Sequence, residues 1–229
     1  MGIAPEIPVA GVKQPLWDWQ IRVCHWAMVL LMGACWWTAE NHEIVYHSYF
    51  AYGLLGVVLF RIYWGFFGSS TARFSHFVRR PSVVWNYLKA LPQRHTKPSA
   101  GHNPLGGYSV LALLFLLFLQ IVLGLFSIDV EGFDGGPFAD FLKFKTSRMI
   151  TGWHEITFNL LLGFIALHIL AVLYYAVWKR QNLTAAMIHG KAAVTTAMQP
   201  ASWLRFVIGV VIAGLILGLL IYANTLFDF

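Results

Sequence analysis

Five stretches of this chain, approximately Ile21–Thr38, His47–Phe67, Tyr108–Ile128, His154–Trp178 and Leu204–Thr225, are apolar over enough residues to cross a hydrocarbon layer of about 30 Å. Inside such a layer every backbone polar group needs a partner within the protein, so runs of this kind fold as helices. Only 11% of the 229 residues are charged and 58% are hydrophobic, whereas an ordinary soluble domain carries about 25% charge. A soluble fold is excluded. The expected class is an all-α integral membrane bundle of four helices with a fifth, C-terminal transmembrane helix.

The charges collect between the spans and set an orientation. After the first span come Glu40 and Glu43, with no Lys or Arg; after the second come Arg73, Arg79, Arg80, Lys89, Arg94 and Lys97, with no acid. The third connection is mixed, with Asp129, Glu131, Asp134 and Asp140 against Lys143, Lys145 and Arg148, and the fourth holds Lys179, Arg180 and Lys191, with Arg205 at the mouth of the fifth span. The cytoplasmic excess of Lys and Arg predicts a cytoplasmic N-terminus and a C-terminus on the other side. This distribution also explains the net charge of +6 without nucleic acid. Met1–Gln20, with three prolines and no basic stretch ahead of an apolar run, reads as an exposed tail and not as a cleavable signal. Pro81–Leu91 has the spacing of a short amphipathic helix on the inner face, and Gly101–Gly107 reads as a turn in which Asn103-Pro104 starts the third span.

Ionisable side chains inside a membrane are costly and mark function. The first, second and fourth spans contain histidine; the third and fifth contain none, and Gln120 is nearly the only polar residue of the third. His154 and His168 are fourteen residues apart, which on a helix is about 21 Å of rise and a return to within about 40° of the same direction. With alternating spans, depth alone pairs His47 with His154 towards the outer side and His25 with His168 towards the inner side. Two separated His/His pairs suit two b-type haems, each a flat apolar disc taking one axial nitrogen from either side. Zinc asks for four ligands at one point, and a di-metal bundle for Glu-x-x-His carboxylates; helix four offers His154-Glu155 and no acid near His168. A histidine near a helix end is also a common interfacial residue, which is the competing reading for His47 and His154.

His42 is the rival of His47. His76, His95 and His189 fall in basic segments and read as solvated, while His102 either meets a haem propionate or only decorates its turn. Cys24 and Cys35 read as small buried hydrophobes and not as a disulfide.

Four stretches resemble a known family: WDWQIRVCHW (Trp17–Trp26), HSYFAYGLLGVVLFRIYWGFFGS (His47–Ser69), GHNPLGGYSVLALL (Gly101–Leu114), and the run from WHE (Trp153–Glu155) through ALH (Ala166–His168) to NLTAAMIHGK (Asn182–Lys191). In order and spacing they are similar to the bacterial cytochrome b561 and Ni-hydrogenase b-type cytochrome family. The resemblance implies a four-helix membrane haem protein that passes electrons between quinones and redox partners, with His25, His47, His154 and His168 as axial ligands. The expected organisation is a cytoplasmic tail over 1–16, a di-haem domain over 17–191, and a linker with an extra transmembrane helix over 192–229. The chain departs from the family at Ala51-Tyr52, where Gly-Tyr is usual, and in its fifth span.

The anionic haem propionates need donors. Arg22, Arg61, His102, Asn103 and Lys191 are candidates at the inner haem and Arg148 at the outer one, each with a competing role as an anchor to lipid phosphate. Glu155, beside an axial ligand, is a candidate proton-exchanging group for a quinone, or else a hydrogen-bond acceptor for a neighbouring group. Three functions compete. One is a quinol-linked electron carrier of the bacterial inner membrane working with a periplasmic c-type cytochrome. The second is a membrane-anchor cytochrome b subunit of a larger, hydrogenase-like oxidoreductase. The third is a non-redox membrane protein with incidental histidines. Oligomeric state is left open.

Overall fold

Asp18 is where the chain turns helical, because its short carboxylate satisfies a backbone N–H that the first turn leaves without a partner. Its Oδ1 accepts from Ile21 N at 2.7 Å and opens α1 (Trp19–Glu40). Oδ2 accepts from the indole Nε1 of Trp64 at 2.9 Å, on α2 (Ile44–Phe67). One buried side chain thus starts the first helix and pins it to the second. This computed structural model describes residues 13–94, 101–132, 134–194 and 196–227; His95, Lys97 and residues 1–12 of the tail lie outside them.

After α2 come the single turn α3 (Phe74–Phe77), the surface helix α4 (Pro81–Ala90), then α5 (Pro104–Leu125), α6 (Phe144–Val177), α7 (Leu183–His189) and α8 (Trp203–Phe227). Strand β1 (Gln14–Pro15) pairs antiparallel with β2 (Lys191–Ala192), tying the tail to the segment after α7. α1 packs along α2 and α5 along α6; α2 joins the two pairs through α5 and carries α8 on its other side. The core between the helices is made by Cys35, Leu54, Val58, Leu117, Ile121 and Leu161. A second core, at the N-terminal end of α1, joins Leu16, Trp17 and Cys24 to Phe60 and Trp64. Both cysteines are free and buried.

Among the described residues four helices, α2, α5, α6 and α8, are long and apolar enough to cross a membrane by length and composition. α1 has 22 residues but carries Arg22, His25 and Glu40, which lower its apolarity. The expected start of the fourth span at His154 is corrected: α6 begins ten residues earlier, at Phe144. Its 34 residues make about 51 Å of helix, far more than the hydrocarbon thickness. The added turns hold because the preceding loop docks on them. Ser147 Oγ donates to Ala139 O at 3.0 Å, Thr151 Oγ1 to Ile128 O at 2.8 Å, and Thr151 Oγ1 accepts from Ile128 N at 3.0 Å. The third span likewise starts at Pro104, four residues before Tyr108, because Asn103 Oδ1 caps Gly106 N at 2.7 Å. Gly106 and Gly107 are therefore helical. A Cβ at Gly107 would stand 2.9 Å from the backbone oxygen of Phe77, so α3 sits directly on the start of α5.

The double role of Asp18 has a measurable size. Asp18→Ala is expected to cost about 3 kcal/mol, about 1 for the cap and the rest for a stranded indole N–H. Asp18→Asn, which keeps one acceptor oxygen, is expected to lose roughly half as much. Denaturant titration in detergent micelles checks both values.

Candidate haem sites

Four histidines of the spans come together in two pairs. The rings of His25 on α1 and His168 on α6 face each other with centroids 6.5 Å apart and planes at 52°. His47 on α2 and His154 on α6 do the same at 6.4 Å and 77°. A first-row metal bonds an imidazole nitrogen at about 2.0 Å, and the nitrogen is about 1.1 Å from its ring centre, so two axial rings on one iron have centroids about 6 Å apart. Both pairs have that opening. Among the described residues no group of three His, Cys, Asp or Glu converges as a metal cage; each pair offers two imidazoles and no further group of that kind. His25 and His168 lie towards the basic loops, His47 and His154 towards the acidic ones.

The acidic-side pair borders a cavity of about 480 Å³ walled by Met32, Ala51, Leu117, Ile121 and Phe158. A largely apolar slot of this size between helices is where a flat apolar cofactor is held. Gly124 contributes by being small: a Cβ there would meet His154 Cε1 at 3.1 Å. Backbone carbonyls orient both rings. His47 Nδ1–H donates to Cys35 O at 2.8 Å and His154 Nδ1–H to Gln120 O at 2.9 Å. This tautomer leaves the Nε2 of each ring without a proton and able to act as an acceptor or a ligand. The side chain of Gln120, 8% exposed, reaches the same ring, with Nε2 at 3.0 Å from His154 Nε2, and its Oε1 is buried without a partner.

The basic-side pair is built differently. His25 Nδ1 is buried and has no hydrogen-bond partner; the indole of Trp26 stands edge-on to its ring at 5.0 Å. Close by, Arg61 is only 4% exposed, its guanidinium 5.4 Å from the centre of the Phe74 ring and its Nη1 without a partner. His102 is wedged between Trp17 and Phe77, at 4.6 and 4.5 Å, with Nδ1 also unpartnered. Desolvation, followed by the Arg61 guanidinium, pushes His102 down to about 3, so the ring is neutral at physiological pH. Buried polar atoms without partners are rare in folded proteins, and an absent ligand is one cause of them. An anionic group beside a haem fits them.

The other candidates divide. Arg22 Nη1 donates to Ile188 O at 2.6 Å, yet its Nε is buried and free of partners. Asn103 is occupied by the fold: besides its cap, Nδ2 donates to the hydroxyl of Tyr175 at 2.9 Å, which also bonds Tyr87 of α4. Arg148 Nη1 donates to Ile128 O at 2.8 Å, bracing the loop against α6. Lys191 is exposed in β2. Glu155 is exposed on the rim of the acidic-side cavity. His42 borders the same cavity from the α1–α2 turn, at φ 59°, but it is His47 whose ring faces His154. His76 and His189 are exposed. Sequence reasoning passed over Gln120 and Asp18 as site residues. For Gln120 the available signal is a lone amide in an otherwise apolar span.

Comparison with known proteins gives the same direction. A "Probable Ni/Fe-hydrogenase B-type cytochrome subunit" of Cupriavidus necator is 27% identical over 158 residues, 62% of this chain and 62% of that protein. The chain thus spans less than two thirds of the length of this relative. No solved structure matches the sequence. The family model described as prokaryotic cytochrome b561 matches residues 16–190, and it takes in both facing histidine pairs together with Asp18, Arg61 and Gln120: the chain belongs to the prokaryotic cytochrome b561 family.

Proposed function

We propose that this multi-pass membrane b-type cytochrome carries two haems, one between His25 and His168 and one between His47 and His154, and moves electrons from one side of the membrane to the other. The observation that carries the reading is the pair of 6.4–6.5 Å openings between facing imidazoles on a shared helix, α6. The fourteen residues between His154 and His168 correspond to about 21 Å of helix, so the two sites stand near opposite faces of the bilayer. Bound haem supplies one-electron chemistry; the chain supplies ligation, orientation and a dry path.

His47 and His154 hold their tautomers through the Cys35 and Gln120 carbonyls. Arg61, His102 and the free Nε of Arg22 offer donors to propionates on the basic side. Lys191 is a weaker candidate there, and Arg148, already bonded to Ile128 O, is weak on the acidic side. The positive loops support a cytoplasmic α2–α5 connection in a bacterial inner membrane, with the N-terminus inside and the C-terminus outside. A quinone exchanges electrons and protons with the protein, with Glu155 as the proton-exchanging group, and a periplasmic c-type cytochrome is the redox partner. The hydrogenase name of the Cupriavidus relative supports a second reading, a membrane-anchor subunit of a larger oxidoreductase. A hydrophilic redox subunit that co-purifies favours the second reading; its absence in mild detergent favours the carrier.

Absorption spectroscopy with a haem assay on purified protein tests the core reading. The expected result is two haems per chain with sharp reduced α bands. A colourless protein, or one haem per chain, overturns it.

A further inference from the structure

The basic loops have almost no acid to balance them. Between Glu43 and Asp129, and again between Glu155 and Asp228, the sequence contains Lys and Arg but no Asp or Glu. Asp18, at the same end of the bundle, already accepts from Ile21 N and from the Trp64 indole. The counter-charge for α4 and for the end of α6 therefore comes from outside the chain.

Two of these cations stand by an open, largely apolar groove. Its walls are Leu88 of α4, Leu91 and Pro92 in the following turn, and Tyr174 and Trp178 at the end of α6, around about 420 Å³. The Arg94 guanidinium lies 5.6 Å from the centre of the Trp178 ring. Lys89, next to Leu88, has its ammonium 5.5 Å from the centre of the Trp85 ring. Contacts of this kind hold a cation against an apolar surface without neutralising it.

The fold keeps the groove in shape. Tyr174 Oη donates to Leu91 O at 2.8 Å and Trp178 Nε1 to Pro92 O at 3.1 Å, and Lys179 Nζ donates to Gln93 O. Three consecutive carbonyls of the turn are thus tied to the end of α6. Tyr87 of α4 adds its bond to Tyr175. With their polar atoms occupied, Tyr174 and Trp178 offer the groove ring carbon. Lys179 is buried and engaged, whereas Lys89 and Arg94 are exposed. Val83, Trp85 and Leu88 of α4 are exposed as well, as suits a helix lying at a lipid interface.

We propose that this groove binds one anionic glycerophospholipid, with an acyl chain against Leu88, Leu91 and Trp178 and the phosphate on Arg94 and Lys89. Basic pockets between helices at the membrane surface take anionic headgroups, and the guanidinium fork matches a phosphate. A free phosphate ion leaves the apolar walls uncovered, and a zwitterionic lipid leaves the charge unbalanced. The bound lipid braces α4 against α6.

Native mass spectrometry of the full chain in detergent, with dioleoylphosphatidylglycerol or dioleoylphosphatidylcholine added, tests it. The expected result is one tightly held phosphatidylglycerol per chain, bound about tenfold more strongly than phosphatidylcholine. Lys89→Gln with Arg94→Gln is expected to weaken phosphatidylglycerol about tenfold or more. Arg79→Gln with Arg80→Gln removes equal charge about 12 Å from Leu88 along the helix, beyond the screening length of about 8 Å. That pair is expected to leave binding within about twofold of the wild type. Leu88→Trp, which fills the groove and keeps both cations, is expected to weaken the lipid as the Lys89 and Arg94 changes do. All five of these side chains are exposed, and circular dichroism checks that each variant keeps its helices. Equal binding of the two lipids, equal loss from the two charge pairs, or displacement of the lipid by inorganic phosphate alone overturns the proposal. So does a Leu88→Trp protein that binds like the wild type; should that variant fail to accumulate, the two charge pairs decide it.

Discussion

Replacing His154 by Ala is expected to yield a protein with one haem in place of two, and so is replacing His168, with a different haem remaining in each. An iron held by two opposed imidazoles loses its site when either is removed, whereas the second pair, about 21 Å away along α6, keeps both of its rings. The reduced α-band intensity should fall by roughly half in each single variant. Pairing makes the combinations informative. His47→Ala added to His154→Ala should cost no further haem, since both belong to one site, and likewise His25→Ala added to His168→Ala. His154→Ala with His168→Ala should be colourless. Residues acting on one site are non-additive in this way, and residues on separate sites add. Haem-to-protein ratios for the five variants decide it; if the His154 and His47 losses add, the two rings do not share an iron.

The pairing of these rings is legible in the sequence because it depends only on quantities a sequence carries. Rise per residue and the alternation of spans assign depths, and α6 presents His154 and His168 on nearly one face. The helix starts are less legible. The Asn103-Pro104 signal does mark where α5 begins, whereas the Asp18 cap of α1 emerges only in the structure. The extra turns of α6 have no such marker. Phe144–Trp153 mixes Lys145, Ser147 and Arg148 with apolar residues, and it is helical because Ile128 and Ala139 meet the side chains of Ser147, Arg148 and Thr151. Those contacts join a loop to a helix without any period to read.

Chemistry at the sites follows the same rule. Arg61 and Arg148 look alike as arginines at the ends of spans, both suited to lipid phosphate or to a propionate. The structure separates them by partner: Arg148 donates to a backbone carbonyl, while Arg61 is buried with Nη1 unsatisfied. Gln120 is visible in the sequence as an isolated amide, yet its two contacts with His154 depend on how α5 is rotated against α6. That rotation is set by the packing of many apolar side chains at once, and no single residue encodes it.

The loop that caps the acidic side is expected to be the most sensitive part of the chain outside the histidines, and Gly136 is its tightest point. Gly136 N donates to Ser127 O and Phe138 N to Leu125 O, both at 2.8 Å, which draws the loop against the end of α5. A Cβ on Gly136 would stand 2.6 Å from the carbonyl carbon and oxygen of Leu125 and would also run into the Gly124 carbonyl. These are backbone atoms and cannot rotate away, so the loop itself has to lift. Gly136→Ala is therefore expected to cost about 3 kcal/mol, the upper end of the usual overpacking penalty. Because Gly136, Gly124 and His154 border one cavity, the acidic-side haem should be released first on heating. Gly152→Ala is the control. It lies within α6 with nothing inside 4 Å of its built Cβ, and removing a helical glycine is worth about 0.5–1 kcal/mol of added stability. Thermal unfolding in detergent, read by haem absorbance and by circular dichroism, should move in opposite directions for the two variants. A Gly136→Ala protein that melts with the wild type and keeps both haems would show that the loop does not bear on the site.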